Sequence, residues 1–345
     1  MKNLFTHVLL AFSFSIIPGV LLAQTGTKLY PSSLLKLDNF FSHHVLVAEK
    51  STHLLHLFKN NEGYPELIKS YQVATGKVSG DKEAEGDFKT PEGIYNFVDF
   101  LNNKQLLAQS GPQGVIYGAG AFVMDYPNPV DKILKKGGSG IWLHSTNDET
   151  RIEKGLDSRG CVVTANNELI ELSKYLELNK TPMIIVHDLV YLNEKTYETQ
   201  RNELGKVLDD WLNAWRKKDI ESYMSFYHPA EFTDSKGRYQ QYKAYKKAVF
   251  SNPGQPKIDL DFISIMQAKN YAVITFTQKY QSNTINDTGR KILYLRQDSS
   301  YHWKIVNEVW TKNGLENIEK VAFEPKLRFF KEENLNVSET KKGNN

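Results

Sequence analysis

The chain holds one cysteine, Cys161, set in the turn-like run Ser158-Arg159-Gly160-Cys161. Seventeen positions upstream, the apolar run Ile141-Trp142-Leu143 ends in His144. An unperturbed thiol is only a few per cent ionised at neutral pH, so a cysteine used as a nucleophile needs a base. A histidine closing a strand and a cysteine following a glycine turn supply that pair of types. The chemistry they point to is attack by a thiolate with imidazole as general base. The competing reading is a buried cysteine acting as a small hydrophobe. Its polar, turn-forming neighbours favour use. No His-x-x-x-His or Cys-x-x-Cys occurs, so a metal site is unsupported and no cofactor is expected.

The compartment sharpens this. Lys2 is followed by a charge-free apolar run from Val8 to Leu22 and then Ala23-Gln24, which predicts a secretory signal peptide over residues 1–23. The alternative is an uncleaved anchor, for which the run is short. With no cysteine at the boundary, a lipid-modified cysteine is ruled out, and no stable membrane insertion is expected after cleavage. The predicted location is the periplasm or cell envelope. There a lone cysteine cannot serve as half of an internal disulfide, so its presence asks for another explanation. A net charge of +3 from 43 basic and 40 acidic residues, spread along the chain, gives no case for a nucleic-acid partner.

The elements that must position the pair can be read in order. Residues 24–43 form a lead-in with Leu34, Leu35, Leu37, Phe40 and Phe41 as apolar anchors, suited to docking on the first domain or on a second subunit, so a homodimer is compatible with it. From His44 the run HVLVAEKSTHLLHLFKNN alternates about a Lys-Ser-Thr turn, a hairpin signal. Further strands are expected at Ile68–Ala74, Ile94–Phe97 and Ala121–Met124, separated by glycine- and proline-containing loops. A helix is expected from Asn166 to Leu178 and a strand from Met183 to Val186, closing a mainly-β first domain over 44–191. Its short broken strands suit a β-sandwich or barrel with helical insertions. The second domain, 198–312, opens with a helix over Tyr197–Lys218 whose Leu204, Leu208, Trp211, Leu212 and Trp215 share a face. Two more helical stretches and four strands follow, an α+β order. Residues 313–345 are a charged tail with one apolar stretch, VAFEPKLRFF.

Residues 45–190 resemble the YkuD-type L,D-transpeptidase catalytic domain. The resemblance rests on His144-Ser145, on Ser158-Arg159-Gly160-Cys161-Val162-Val163, and on three upstream blocks in matching order. These are Val45–Ser51, Thr75-Gly76-Lys77 and Gly86–Tyr95. Residues 198–310 look like an NTF2-like domain, a cone-shaped α+β fold, on the opening Leu212-Asn213-Ala214-Trp215 with Asp219 and Tyr223 and the closing Trp303–Val306. The pairing resembles the cell-shape-determining L,D-carboxypeptidases. One departure stands out, since Val163 occupies a position where the family's transpeptidases usually carry arginine.

The resemblance implies that Cys161 attacks a peptidoglycan stem peptide, with His144 taking the thiol proton and returning it to departing D-alanine. It implies that Ser145 holds the carbonyl that orients the imidazole. It further implies that the N–H groups of Gly160 and Cys161 stabilise the oxyanion. Water as acceptor gives an L,D-carboxypeptidase that trims tetrapeptides; an amine gives an L,D-transpeptidase that forms 3–3 cross-links or exchanges groups. A non-catalytic wall-binding scaffold is the third reading. Ser158 suits a turn or a substrate contact, Arg159 a solvated charge or a carboxylate site, and Tyr117 and Trp142 packing or a cleft wall. The second domain is expected to be a non-catalytic pocket or interaction module.

Overall fold

The computed structural model describes residues 28–316 and 323–330; the expected signal segment lies outside the described residues. The first domain is built on one eight-stranded sheet. Its spatial order is Val162–Val163, Trp142–His144, Gly120–Met124, Gly93–Asn102, Pro182–Val186, His44–Glu49, Leu54–Asn61 and Tyr64–Gln72. The centre is Pro182–Val186, buried along its whole length and flanked by a parallel and an antiparallel neighbour, as an all-apolar strand requires. The hairpin expected at Lys50–Thr52 forms there, with His53 at φ +56° closing it.

Several helices lie on this sheet. Asn166–Ser173 ends earlier than the periodicity predicts; Tyr175 and Leu176 continue it only as turns. Asn103–Ser110 and the 3₁₀ turn Gly111–Tyr117 carry no strong apolar stripe, only Leu106 of the helix being buried, and the periodicity does not reveal them.

The second domain wraps a five-stranded sheet around long helix Glu194–Lys217. Asn193 caps that helix by accepting from Thr196 N at 3.0 Å, and Lys218 ends it in the left-handed conformation. Its buried face (Tyr197, Leu204, Leu208, Trp211, Leu212, Trp215) packs into the cone. Four of the five strands are Lys257–Ala268, Tyr271–Gln281, Asn286–Gln297 and Trp303–Thr311. The fifth is Leu34–Lys36 of the lead-in, paired to Lys257–Ala268. Leu29–Pro31 pairs with Tyr191–Asn193. The lead-in therefore docks mainly on the second domain, a destination the residue pattern does not suggest.

The two domains share a core. Leu34, Val45, Val47, Ile94, Ile184, Tyr271, Val273, Ile292, Tyr294 and Val306 form one buried cluster that spans both sheets. Tyr271 OH accepts from Ile94 N at 2.5 Å and from Asn128 Nδ2 at 2.8 Å. Arg290, from the second sheet, donates to Asn96 Oδ1 at 2.9 Å and to Asn179 O. The tail also returns to the first domain. Phe323 stacks on His43 with centroids 3.9 Å apart, and Phe329 and Phe330 pack against Phe100.

Candidate active site

The strands that carry the two reactive types are neighbours. Trp142–His144 and Val162–Val163 run parallel, with Val162 opposite Leu143 and Val163 opposite His144. Cys161 lies one residue before the second strand and His144 ends the first. Both side chains line one cleft of about 520 Å³, together with Lys77, Gln113, Tyr117, Arg151, Ser158 and Arg159.

His144 is fixed from behind. Its Nδ1 lies 2.6 Å from Ser145 O, and a carbonyl can only accept, so Nδ1 carries the proton. Nε2 is then the unprotonated nitrogen of the neutral ring. Burial lowers the imidazole's pKa to about 4 against the opposing pull of the Ser145 carbonyl, so the ring is neutral at pH 7. The Tyr117 ring stands edge-on to it at 4.9 Å.

The loop that carries Tyr117 is tied down by side chains from two elements. Ala119 N donates to Ser145 Oγ and Asn166 Oδ1, each at 2.8 Å, and Ser145 Oγ donates to Tyr117 O at 3.2 Å. Asn166 Nδ2 reaches Thr146 O at 2.7 Å. Gly118 has φ +57°, and a Cβ there would lie 2.4 Å from Asn166 Oδ1 and 2.6 Å from Ser145 Oγ.

Cys161 is half-buried, and its thiol donates to Gly140 O at 3.6 Å. Burial pushes the thiol up to about 11. The resting pair is therefore thiol and neutral imidazole. The turn before the cysteine is held by Ser158, whose hydroxyl donates to Cys161 O at 2.6 Å and accepts from Gly160 N at 3.0 Å. That second bond engages the Gly160 N–H, one of the two donors expected for an oxyanion, and leaves the Cys161 N–H as the expected one. Gly160 itself sits at φ +129° with Lys89 O and Ile141 Cδ1 each 2.9 Å from where a Cβ would be. The upstream blocks converge here. Thr75–Gly76 pairs with Leu156–Ser158, Lys77 N donates to Ser158 O at 2.8 Å, and Ala74 exchanges two backbone bonds with Val163.

Of the residues singled out in the sequence, Cys161, His144, Ser158, Arg159 and Tyr117 line the cleft, whereas Trp142, Ser145 and Gly160 do not. Trp142 packs against Tyr117 at 5.0 Å between ring centroids and supports the wall. Sequence reasoning passed over Asn166, an ordinary helix-start residue by type, and Arg151, a lone cation with no motif around it.

The family model of the L,D-transpeptidase catalytic domain (YkuD) matches residues 43–185, and that of the Cds6 C-terminal NTF2-like domain matches residues 203–309. The solved structure of Bdellovibrio bacteriovorus Bd1075 is 31% identical with a TM-score of 0.72, covering 83% of this chain and 99% of that one. The chain belongs to the L,D-transpeptidase (YkuD) family that carries an NTF2-like domain. The helical cell shape determining protein Pgp2 from Campylobacter jejuni is 27% identical with a TM-score of 0.63, covering 80% of this chain and 95% of that one. No curated protein matches the chain. His144 and Cys161 both lie within the matched residues 43–185.

The NTF2-like domain has a pocket of its own, about 340 Å³, lined by Trp215, Tyr242, Lys246, Lys291 and Glu308 among others. Glu308 accepts from Lys291 Nζ and Tyr242 OH at 2.8 Å and from Tyr227 OH at 2.9 Å. Burial opposes its charge, but Lys291 and Lys246 outweigh it and hold the carboxyl at about 2.

Proposed function

We propose that the protein is an exported L,D-carboxypeptidase that removes the terminal D-alanine from tetrapeptide stems of peptidoglycan. The observation that carries the reading is the shared cleft, lined both by a neutral imidazole with an unprotonated Nε2 and by the chain's only thiol. His144 takes the proton of Cys161 as sulfur bonds to the carbonyl carbon of the third stem residue. The oxyanion is stabilised by the Cys161 N–H. As the intermediate collapses, the amide C–N bond breaks and His144 returns the proton to the departing amine. Water, deprotonated by His144, then attacks the thioester, and the sulfur leaves to recover the thiol.

Water as acceptor is favoured by Val163, fully buried beside His144 where the family's transpeptidases usually carry a cation. The likeness to a helical cell shape determining protein supports a role in wall editing that sets cell form. For the NTF2-like domain we propose a non-catalytic role.

Incubating mature protein with purified muropeptides tests the reading. Tetrapeptides should become tripeptides, and the Cys161→Ala variant should leave them intact. A tetrapeptide pool that persists with wild-type protein would reject the hydrolase. The formation of 3–3 cross-links in the same digest would replace it with the transpeptidase.

A further inference from the structure

The cleft contains a cation that the Cys161–His144 chemistry does not use. Arg151, on the short helix Thr150–Glu153, is largely buried, with 18% of its side chain exposed. Its Nε donates to Asp157 Oδ2 at 2.5 Å, and its Nη1 to Thr146 Oγ1 at 3.2 Å and to Ile116 O at 3.5 Å. Each anchor belongs to a different wall. Thr146 follows the His144 strand by two residues, Ile116 precedes Tyr117, and Asp157 lies in the strand leading to Ser158.

A guanidinium presents five N–H donors in one rigid plane. Those contacts use Nε and Nη1; among the described residues Nη2 has no partner. The positive charge acts on the reacting groups themselves, favouring the thiolate of Cys161 and disfavouring the imidazolium of His144. Asp157 offsets part of it, and Lys154 Nζ, 3.8 Å from the other Asp157 oxygen, leaves the trio with a net positive charge. Along the cleft, Lys77, Arg151 and Arg159 stand against Asp148 and Asp157, which leaves a net positive wall.

We propose that Arg151 binds the α-carboxylate of the departing D-amino acid and so selects stem peptides that end in a free carboxylate. This rests on the hydrolase reading above. A carboxypeptidase must recognise a carboxylate one residue beyond the bond it cuts, and a planar donor already anchored by the fold does this at a lower entropic cost than a free one. Arg159 is exposed and has no side-chain anchor among the described residues, so it must be ordered on binding. Val163 is apolar and buried and offers no donor.

The test uses binding with the chemistry switched off. Full-length mature protein carrying Cys161→Ala is titrated calorimetrically with a tetrapeptide stem ending in the free acid and with its C-terminal amide. The acid should bind on the order of tenfold to a hundredfold more tightly. Adding Arg151→Gln should erase that preference while leaving the amide's affinity in place. Adding Arg151→Lys, which keeps the charge but not the fork, should keep part of the preference, and adding Arg159→Gln should keep it whole. An acid preference that survives Arg151→Gln, or an equal loss for both ligands in a protein that still melts cooperatively, would overturn the assignment. Should Arg151→Gln not fold, a full acid preference in the Arg151→Lys protein would overturn it as well. If wild-type protein releases no D-alanine, the hydrolase reading fails, and the acid-over-amide comparison still reports on Arg151.

Discussion

His144 donates from Nδ1 to the backbone carbonyl of Ser145 at 2.6 Å, so the neighbouring peptide unit, and not a carboxylate, sets the ring's tautomer. A carbonyl orients the ring as a carboxylate would, but it brings no full negative charge to stabilise an imidazolium. That is why burial dominates and the ring stays neutral until about pH 4.

The resting neutral pair predicts how Cys161 reacts with iodoacetamide. With the thiol held up at about 11, its alkylation rate should climb steadily from pH 7 to pH 10. A rate already flat at pH 7 would show a thiolate–imidazolium pair instead. On the acid side, kcat/KM should fall as the pH drops toward 4 and His144 becomes protonated.

Gly160→Ala should separate fold from chemistry. The φ of +129° and the two atoms 2.9 Å from the added carbon force the turn to shift, and Cys161 shifts with it. We expect a stability loss of about 1–3 kcal/mol. The larger effect should be a fall in kcat on the order of a hundredfold, read by D-alanine release.

Glu308→Gln should destabilise the NTF2-like domain by about 3 kcal/mol, because Lys291 loses the carboxylate that it meets at 2.8 Å and buried Lys246 loses the stronger of its two favourable charges, Asp234 being the weaker. The loss should depend on pH. Glu308 has a folded value of about 2 and an ordinary value of 4.5, so the unfolded chain takes up the proton first as the pH falls. Its contribution is whole above 4.5 and disappears toward 2. Urea titrations of the two proteins should therefore differ at pH 6 and converge in strong acid.

Tyr271→Phe should cost about 1–3 kcal/mol, since Ile94 N and Asn128 Nδ2 lose their acceptor in a buried position. Because the two sheets share one apolar cluster, the variant should still melt in a single calorimetric transition, at a lower temperature. Two resolved transitions would show that the domains unfold separately.

The sequence made some of this legible and hid the rest for identifiable reasons. The strand Pro182–Val186 announces itself as an unbroken apolar run, and the helix Glu194–Lys217 by an apolar face of helical period. His144 and Cys161 are legible because their types are scarce and their neighbours turn-like. Leu34–Lys36 is too short to show alternation, and its partner strand lies far along the chain, so no local signal could place it. Arg151 reads as one solvated charge among many; only folding brings Asp157, Thr146 and Ile116 around it. Ser158 shows the limit within a motif, since its position is evident from the sequence while its hydroxyl's hold on Gly160 N is not.

The two ends of the described chain exchange places. The lead-in completes the sheet of the second domain, and Phe323–Phe330 covers the first. Cutting between residues 191 and 198 would therefore not yield two self-sufficient halves, since each would keep a terminal piece that belongs to the other. The same weave bears on biosynthesis. As the chain emerges from the ribosome, Leu34–Lys36 has no sheet to join until Lys257–Ala268 appears, and the aromatic cover over Phe100 arrives after every described strand. The enzyme must be finished before either domain is, which couples acquisition of its final shape to delivery of the intact polypeptide.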